Sequence, residues 1–253
     1  DGATIDDSMR NADAAMYRAK QEGRNTYRLF NSKTHVQENH HLAMESALRD
    51  TAETGDGLDV HYQPIFDTQS GELRGAEALL RWYNPHFGHV APVDFIPVAE
   101  RSGLILPLGR RLIRAVAAQQ QHWLAAGRQV VPVAVNLSAK QFWQNDLATR
   151  LKTILSEHDL PAGLIDVELT ESTLLDESQE ATGILQALRE VGCGVAIDDF
   201  GTGYSSLRYL QDLPVTTLKI DRSFIARMQT AHGSRAIVAA VSGLGHELGL
   251  KVV

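Results

Sequence analysis

At 253 residues and 43% hydrophobic content, the chain is long enough for one large α/β barrel or two smaller domains with substantial cores. Its net charge of −7, from 24 basic and 31 acidic residues, disfavours a general role on nucleic-acid polymers, whose phosphates attract basic surfaces. A single cysteine excludes an internal disulfide, and no apolar run reaches the ~18–20 residues that span a bilayer.

Residues 6–21 carry Met9, Ala12, Ala15, Met16 and Ala19 at helical spacing, and Gly23 and Asn25 end that pattern. A short strand follows at 26–30, then a helix over 38–54 and a Gly55–Gly57 turn. His40 and His41 lie in the polar part of that helix and read as solvated. Strands are predicted at 59–66 and from the low seventies to 82, too close in sequence for a crossover helix, so they form an antiparallel hairpin. Helices at 92–103 and 108–126 lead to a strand at 130–137 and one helix over 139–158. Strands at 165–169, 194–198 and 216–220 then alternate with helices at 178–191, 205–211 and a long one ending near Gly249. Residues 250–253 begin another strand, the seventh counted from residue 59 onward. This alternation predicts a parallel sheet and a TIM-like (β/α)8 barrel with an antiparallel first strand, truncated before its last strand or strands. Cys193, inside an apolar run, reads as a small core residue.

Five of these segments carry one polar residue among apolar neighbours: Glu77, Asn136, Glu168, Asp198 and Lys219. Side chains alternate faces along a strand, so Glu77 shares a face with Leu79 and Arg81, and Asn136 with Ala134 and Ser138. Barrel active sites lie at the carboxyl ends of the strands, where all five fall. Any one alone reads as a structural hydrogen bond; five together predict convergence. Three carboxylates and an amide oxygen suit a hard divalent cation. Asp199 follows Asp198 directly and adds a further charge, which bound cations would neutralise. Two metals ~3.5–4 Å apart are the usual arrangement for in-line attack on a phosphodiester. Gly201 and Gly203 allow a tight loop, and Ser205 or Ser206 a helix cap. Lys219 either balances charge beside Asp221 or Asp198 or orients an attacking water. Arg81 either binds a phosphate oxygen or forms a surface ion pair.

Several motifs in chain order resemble the EAL domain: YQPIF at 62–66, AEALLRW at 76–82, FIPVAERSGLI at 95–105, VNLSAKQF at 135–142, ELTES at 168–172, DDFGTGYSSL at 198–207 and LKIDRSFI at 218–225. The resemblance implies a cyclic di-GMP phosphodiesterase that yields linear pGpG with Mg²⁺ or Mn²⁺, two ions in all. It implies Glu77, Asn136, Glu168 and Asp198 as metal ligands and Asp199 at the second metal. It also implies Lys219 on the catalytic water with Asp221 in support, Glu171 as anchor of the loop after Asp199, and Gln63 and Arg81 on the substrate. The family continues past a GLKVV-like strand into an acidic motif and a Gln-Gly-Tyr motif, so both are expected beyond Val253. Residues 11–30, NADAAMYRAKQEGRNTYRLF, resemble the end of a GGDEF (diguanylate cyclase) domain. The expected organisation is a GGDEF remnant and linker over 1–34 and an EAL domain over 35–253, from a tandem GGDEF–EAL parent. The expected partners are cyclic di-GMP and a second copy in a homodimer, with no DNA or RNA polymer and no membrane contact. A cytoplasmic setting is expected, any inner-membrane anchor belonging to the parent. A cyclic di-GMP receptor without turnover is the alternative. A glycosidase using paired carboxylates fits the Asn, the Asp pair and the Lys poorly.

Overall fold

The alternation of apolar and polar residues produces a sheet with one face turned to helices and the other to a lumen. The computed structural model describes residues 32–174, 179–202, 210–230 and 232–253, with Thr4, Ile5, Met9, Ala12 and Met16. Two units separate, Asp1–Asp50 and Thr51–Val253. In the first, Met9, Ala12 and Met16 are helical, as their spacing predicts, and so is Ile5 just before them. The rest of that segment, the expected strand at 26–30 and most of the GGDEF-like stretch lie outside the described residues. Helix α1 is Ser32–Thr54, longer at its start than the 38–54 expected.

The second unit opens with the hairpin of β1 (Leu58–Phe66) and β2 (Leu73–Asn84). Its turn is set by Asp67, whose Oδ1 accepts the amides of Gln69 (3.0 Å) and Ser70 (2.8 Å), with Gly71 at φ 70°. The pairing runs one-to-one from Leu58↔Trp82 to Ile65↔Gly75, with a bulge at Phe66. Val60, Tyr62, Ala76, Ala78 and Leu80 therefore share the core face, and Gln63, Glu77 and Arg81 the other. A three-residue strand, β3 (Gly88–Val90), pairs with the end of β2; it is too short to leave a periodic signal.

Helices α2 (Pro92–Ser102) and α3 (Ile105–Ala125) precede the parallel strands β4 (Val133–Leu137), β5 (Ile165–Thr170), β6 (Val195–Phe200), β7 (Thr217–Ile220) and β8 (Lys251–Val252). The strand order is β1-β2-β4-β5-β6-β7-β8, with β3 attached to β2. This is an open, curled half-barrel with an antiparallel first strand, the barrel-type fold that the alternation predicts. Val133, Val135, Ile165, Val167, Val195 and Leu218 are each fully buried beneath the helices. Burial of such a side chain is worth about 1.5–3 kcal/mol. Gln120 of α3, also fully buried, donates its amide to Val131 O (2.8 Å) and Leu164 O (3.0 Å), tying together the lead-ins of β4 and β5. Cys193 is a buried core residue, and burial pushes its thiol up to about 12.

Two long helices expected from periodicity are broken. The 139–158 segment is α4 (Ala139–Phe142) and α5 (Leu147–Glu157). Between them Gln144 donates its side-chain amide to Lys140 O at 3.3 Å, and Asn145 and Asp146 are of the types whose side chains favour turns over helix interiors. After β7 the chain forms α8 (Arg222–Arg227) and α9 (His232–Glu247), preceded in order by α6 (Glu171–Leu174) and α7 (Gln179–Glu190). The expected 205–211 helix, its Ser205 or Ser206 cap and Gly203 lie outside the described residues, apart from Leu210 and Gln211 at the end of that segment. Among the described residues no helix is long and apolar enough to cross a membrane.

Candidate active site

The register of the strands sets the height of each polar residue. Glu77 stands level with Ala134, Asn136 with Glu168, and Thr170 with Asp198. From Glu77 to Asp198 the donors thus climb the sheet by pairs of residues, all on the face away from the helices. The small side chains of Ala134 and Ala196 on that face leave room beneath them.

Lys219 lies at the centre. Its Nζ donates to Glu168 Oε2 at 2.5 Å and Glu77 Oε2 at 3.0 Å, and pairs with Asp198 Oδ1 at 3.3 Å. Asn136 Nδ2 donates to the other oxygen of Glu77 at 2.7 Å. Glu168 is 2% exposed and Lys219 12%. Burial, with Glu77 and Asp198 adding like charge, raises the Glu168 carboxyl to about 7, against the pull of Lys219. Burial opposes the Lys219 charge, but Glu168, Asp198 and Glu77 outweigh it and raise the ammonium above its ordinary value. The five residues singled out from the sequence thus meet at one point. Of the two partners open to Lys219, Asp198 is one it takes; Asp221 instead caps α8, with Oδ1 accepting Ser223 N at 2.9 Å.

Asp199 leaves the β6 ladder where its register shifts, with φ 54°. A non-glycine residue there carries local strain, which the surrounding loop must hold. Thr202 holds it by donating from Oγ1 to Asp199 O at 2.8 Å. The Asp199 carboxyl faces Asp221; burial, Asp198 and Asp221 raise it, while the Ser223 hydroxyl and amide hold Asp221 low. Buried Glu171 accepts the Gly201 amide through Oε2 at 3.1 Å, tying α6 to the loop after β6.

Gln63 stands opposite Glu77 in the hairpin, and Arg81 opposite Asp59. Arg81 Nη1 donates to Leu80 O at 3.1 Å, and Arg81 lines a cavity of about 430 Å³ with Leu79, Ile96, Glu100, Asn136 and Thr170. Arg81 stands four residues beyond Glu77 on β2, outside the Lys219 cluster.

One support went unread in the sequence. Ser138 and Gln141 form a capping box at the start of α4, with Gln141 Oε1 accepting Ser138 N (3.1 Å) and Ser138 Oγ (2.9 Å). It fixes the turn two residues beyond Asn136. The Ser-x-x-Gln pattern is the signal that would have found it.

The donor set is all oxygen and over-charged. Glu77, Glu168 and Asp198 surround one lysine, with Asp199 beside Asp198, a combination that hard divalent cations fit. Among the described residues no three acidic, His or Cys side chains close into a ready-made metal cage. The ammonium of Lys219 stands between the carboxylates.

The EAL domain profile matches residues 45–253. The chain belongs to the EAL family. Membership implies dependence on divalent metal in general terms. The chain is 42% identical over all its 253 residues to the bifunctional diguanylate cyclase/cyclic di-GMP phosphodiesterase MucR of Pseudomonas aeruginosa, of which it covers 37%. It is 40% identical over 245 residues to the cyclic di-GMP phosphodiesterase PdeR of Escherichia coli, covering 97% of this chain and 37% of that protein. The chain thus spans about a third of the length of the curated relatives it matches. Among solved structures, the PaMucR phosphodiesterase in complex with c-di-GMP superposes with a TM-score of 0.79 at 40% identity, covering 83% of this chain and 85% of that one. The cGMP-bound EAL enzyme Bd1971 gives 0.77 at 30% identity, covering 87% and 61%.

Proposed function

We propose that this chain is a metal-dependent phosphodiesterase that hydrolyses cyclic di-GMP to linear pGpG, using two Mg²⁺ or Mn²⁺ ions. The observation that carries the reading is the buried, over-charged oxygen cluster around Lys219 at the carboxyl ends of the strands. The names of MucR and PdeR, and the c-di-GMP complex of a 40% identical structure, supply the substrate. In this reading Glu77, Asn136, Glu168 and Asp198 hold one ion and Asp199 serves the second. The ions, when bound, lower the proton affinity of the attacking water and offset charge on the phosphate. Lys219 orients the water, with Asp221 in support. Water oxygen bonds to phosphorus, the bond to one 3′ oxygen breaks, and that oxygen takes up a proton. Gln63 and Arg81 hold the dinucleotide, and Glu171 holds the loop that carries Asp199.

We also infer that the leading residues derive from a GGDEF domain. The alignment to MucR, named as bifunctional, extends through all 253 residues.

The test is incubation with cyclic di-GMP and Mg²⁺ or Mn²⁺, with pGpG followed by chromatography. Glu77→Ala is expected to lower turnover at least about 100-fold, the upper end of what outer-shell changes at metal sites cost. Tight binding of cyclic di-GMP with no pGpG under either metal would make the chain a receptor instead. Wild-type rates in Glu77→Ala at matched metal would refute the ligand assignment.

A further inference from the structure

Four carboxylate oxygens of the cluster face protein donors. Glu77 Oε1 takes Asn136 Nδ2 at 2.7 Å and its Oε2 takes Lys219 at 3.0 Å. Glu168 Oε2 takes Lys219 at 2.5 Å. Asp198 Oδ1 meets Lys219 at 3.3 Å and its neighbour's amide, Asp199 N, at 3.0 Å. Carboxylates buried this closely repel one another unless a cation lies between them. Lys219 is that cation. Its single charge leaves three carboxylates under-neutralised, so a divalent ion has a net electrostatic advantage there. Asn136 meanwhile presents its nitrogen, which has no lone pair for a metal; only its oxygen ligates.

We propose that Lys219 is a built-in counter-ion that holds the metal-free site assembled and is displaced from its centre when divalent metal binds, with Asn136 turning its amide oxygen inward. Lys219 thereby competes with the metal and sets the concentration at which the site loads. This inference rests on the metal-dependent reading above and goes beyond the water-orienting role, because it concerns the site before substrate arrives.

The test uses Mn²⁺ alone, without nucleotide. Mn²⁺ binding is measured by electron paramagnetic resonance in wild type and in Lys219→Met, which keeps the chain's bulk and removes its charge. The variant is expected to bind Mn²⁺ about tenfold more tightly or better, the scale of a coupling between two ligands. Its metal-free melting temperature should fall, and its rise on adding Mn²⁺ should exceed that of wild type. Equal or weaker Mn²⁺ binding by a folded variant overturns the proposal. Removing simple repulsion would also tighten binding, so the wild-type lysine ammonium is followed by ¹⁵N NMR during Mg²⁺ titration. A Lys219 signal that moves on loading supports displacement; one unchanged at saturation overturns it, whether or not the variant folds. Wild type that binds no Mn²⁺ removes the metal reading and this inference together. Wild-type binding without tightening in the variant removes this inference alone.

Discussion

Gly109 in α3 is expected to be irreplaceable even by alanine, for a reason that links a helix to the site. A Cβ at Gly109 would lie 1.8 Å from Gln141 Nε2 and 2.9 Å from its Cδ. Gln141 is buried and its Oε1 accepts two bonds from Ser138, so its amide cannot move aside freely. In Gly109→Ala the helix gains about 1 kcal/mol of propensity. Losing the two cap bonds costs about 1 kcal/mol each, and repacking adds about 1–3 kcal/mol. The net expectation is a loss of about 2–4 kcal/mol by urea denaturation. Gln141→Ala alone should cost about 2 kcal/mol through the same two lost cap bonds. In that background Gly109→Ala loses its nearest obstruction and should become neutral or stabilising, so its effect changes sign between backgrounds. A Gly109→Ala protein as stable as wild type, or the same change in both backgrounds, would refute the packing argument.

Two further outcomes are expected. Glu171→Ala removes the acceptor for Gly201 N–H; turnover should drop about 10–100-fold and the Gly201 amide should exchange faster, while Glu171→Gln, which keeps a carbonyl oxygen, loses less of both. Equal losses in the two variants would show that the hydrogen bond is not what matters. The Ser70 and Gln69 amides and the Ser70 hydroxyl hold the Asp67 carboxyl below its ordinary range. A depressed carboxylate stabilises the fold above its unfolded value and loses that contribution as pH falls through its folded value. Asp67→Ala should therefore be less stable than wild type at neutral pH, with the gap closing in acid; a gap that stays constant or widens in acid rules out the charge as its source.

The hairpin and the parallel strands were legible because runs with strand-like patterning, from the four residues of β7 to the twelve of β2, are separated by turn chemistry such as the Asp67-to-Gly71 segment. The break between α4 and α5 was not, since Phe142, Leu147 and Leu151 are all buried and keep an apolar period running across it. The strand-end residues were legible because strands alternate faces, so Glu77, Asn136, Glu168, Asp198 and Lys219 had to point to one side together. Asp199 could be counted with them only by adjacency. Its positive φ turns it toward Asp221, and nothing local in the sequence announces a left-handed aspartate before Phe200 and Gly201. The apposition of Gly109 and Gln141 joins residues 32 apart, a packing fact without local pattern.

The ion pair between Lys219 and Glu77 also measures the curl of the sheet. Lys219 is on β7 and Glu77 on β2, with β4, β5 and β6 between them in the strand order. In a flat sheet four strand spacings of about 4.8 Å separate their backbones by about 19 Å. The two extended side chains together reach only about 10 Å. Their 3.0 Å contact therefore requires the sheet to bend until β7 faces β2 across the lumen. The register supplies the rest, since the climb from Glu77 through Asn136 and Glu168 to Asp198 brings donors on four strands to one short lysine-centred span. Fold and site are thus one fact: the curl that makes the sheet a half-barrel is what lets residues 142 positions apart neutralise each other, and a flat sheet with the same residues would have no site.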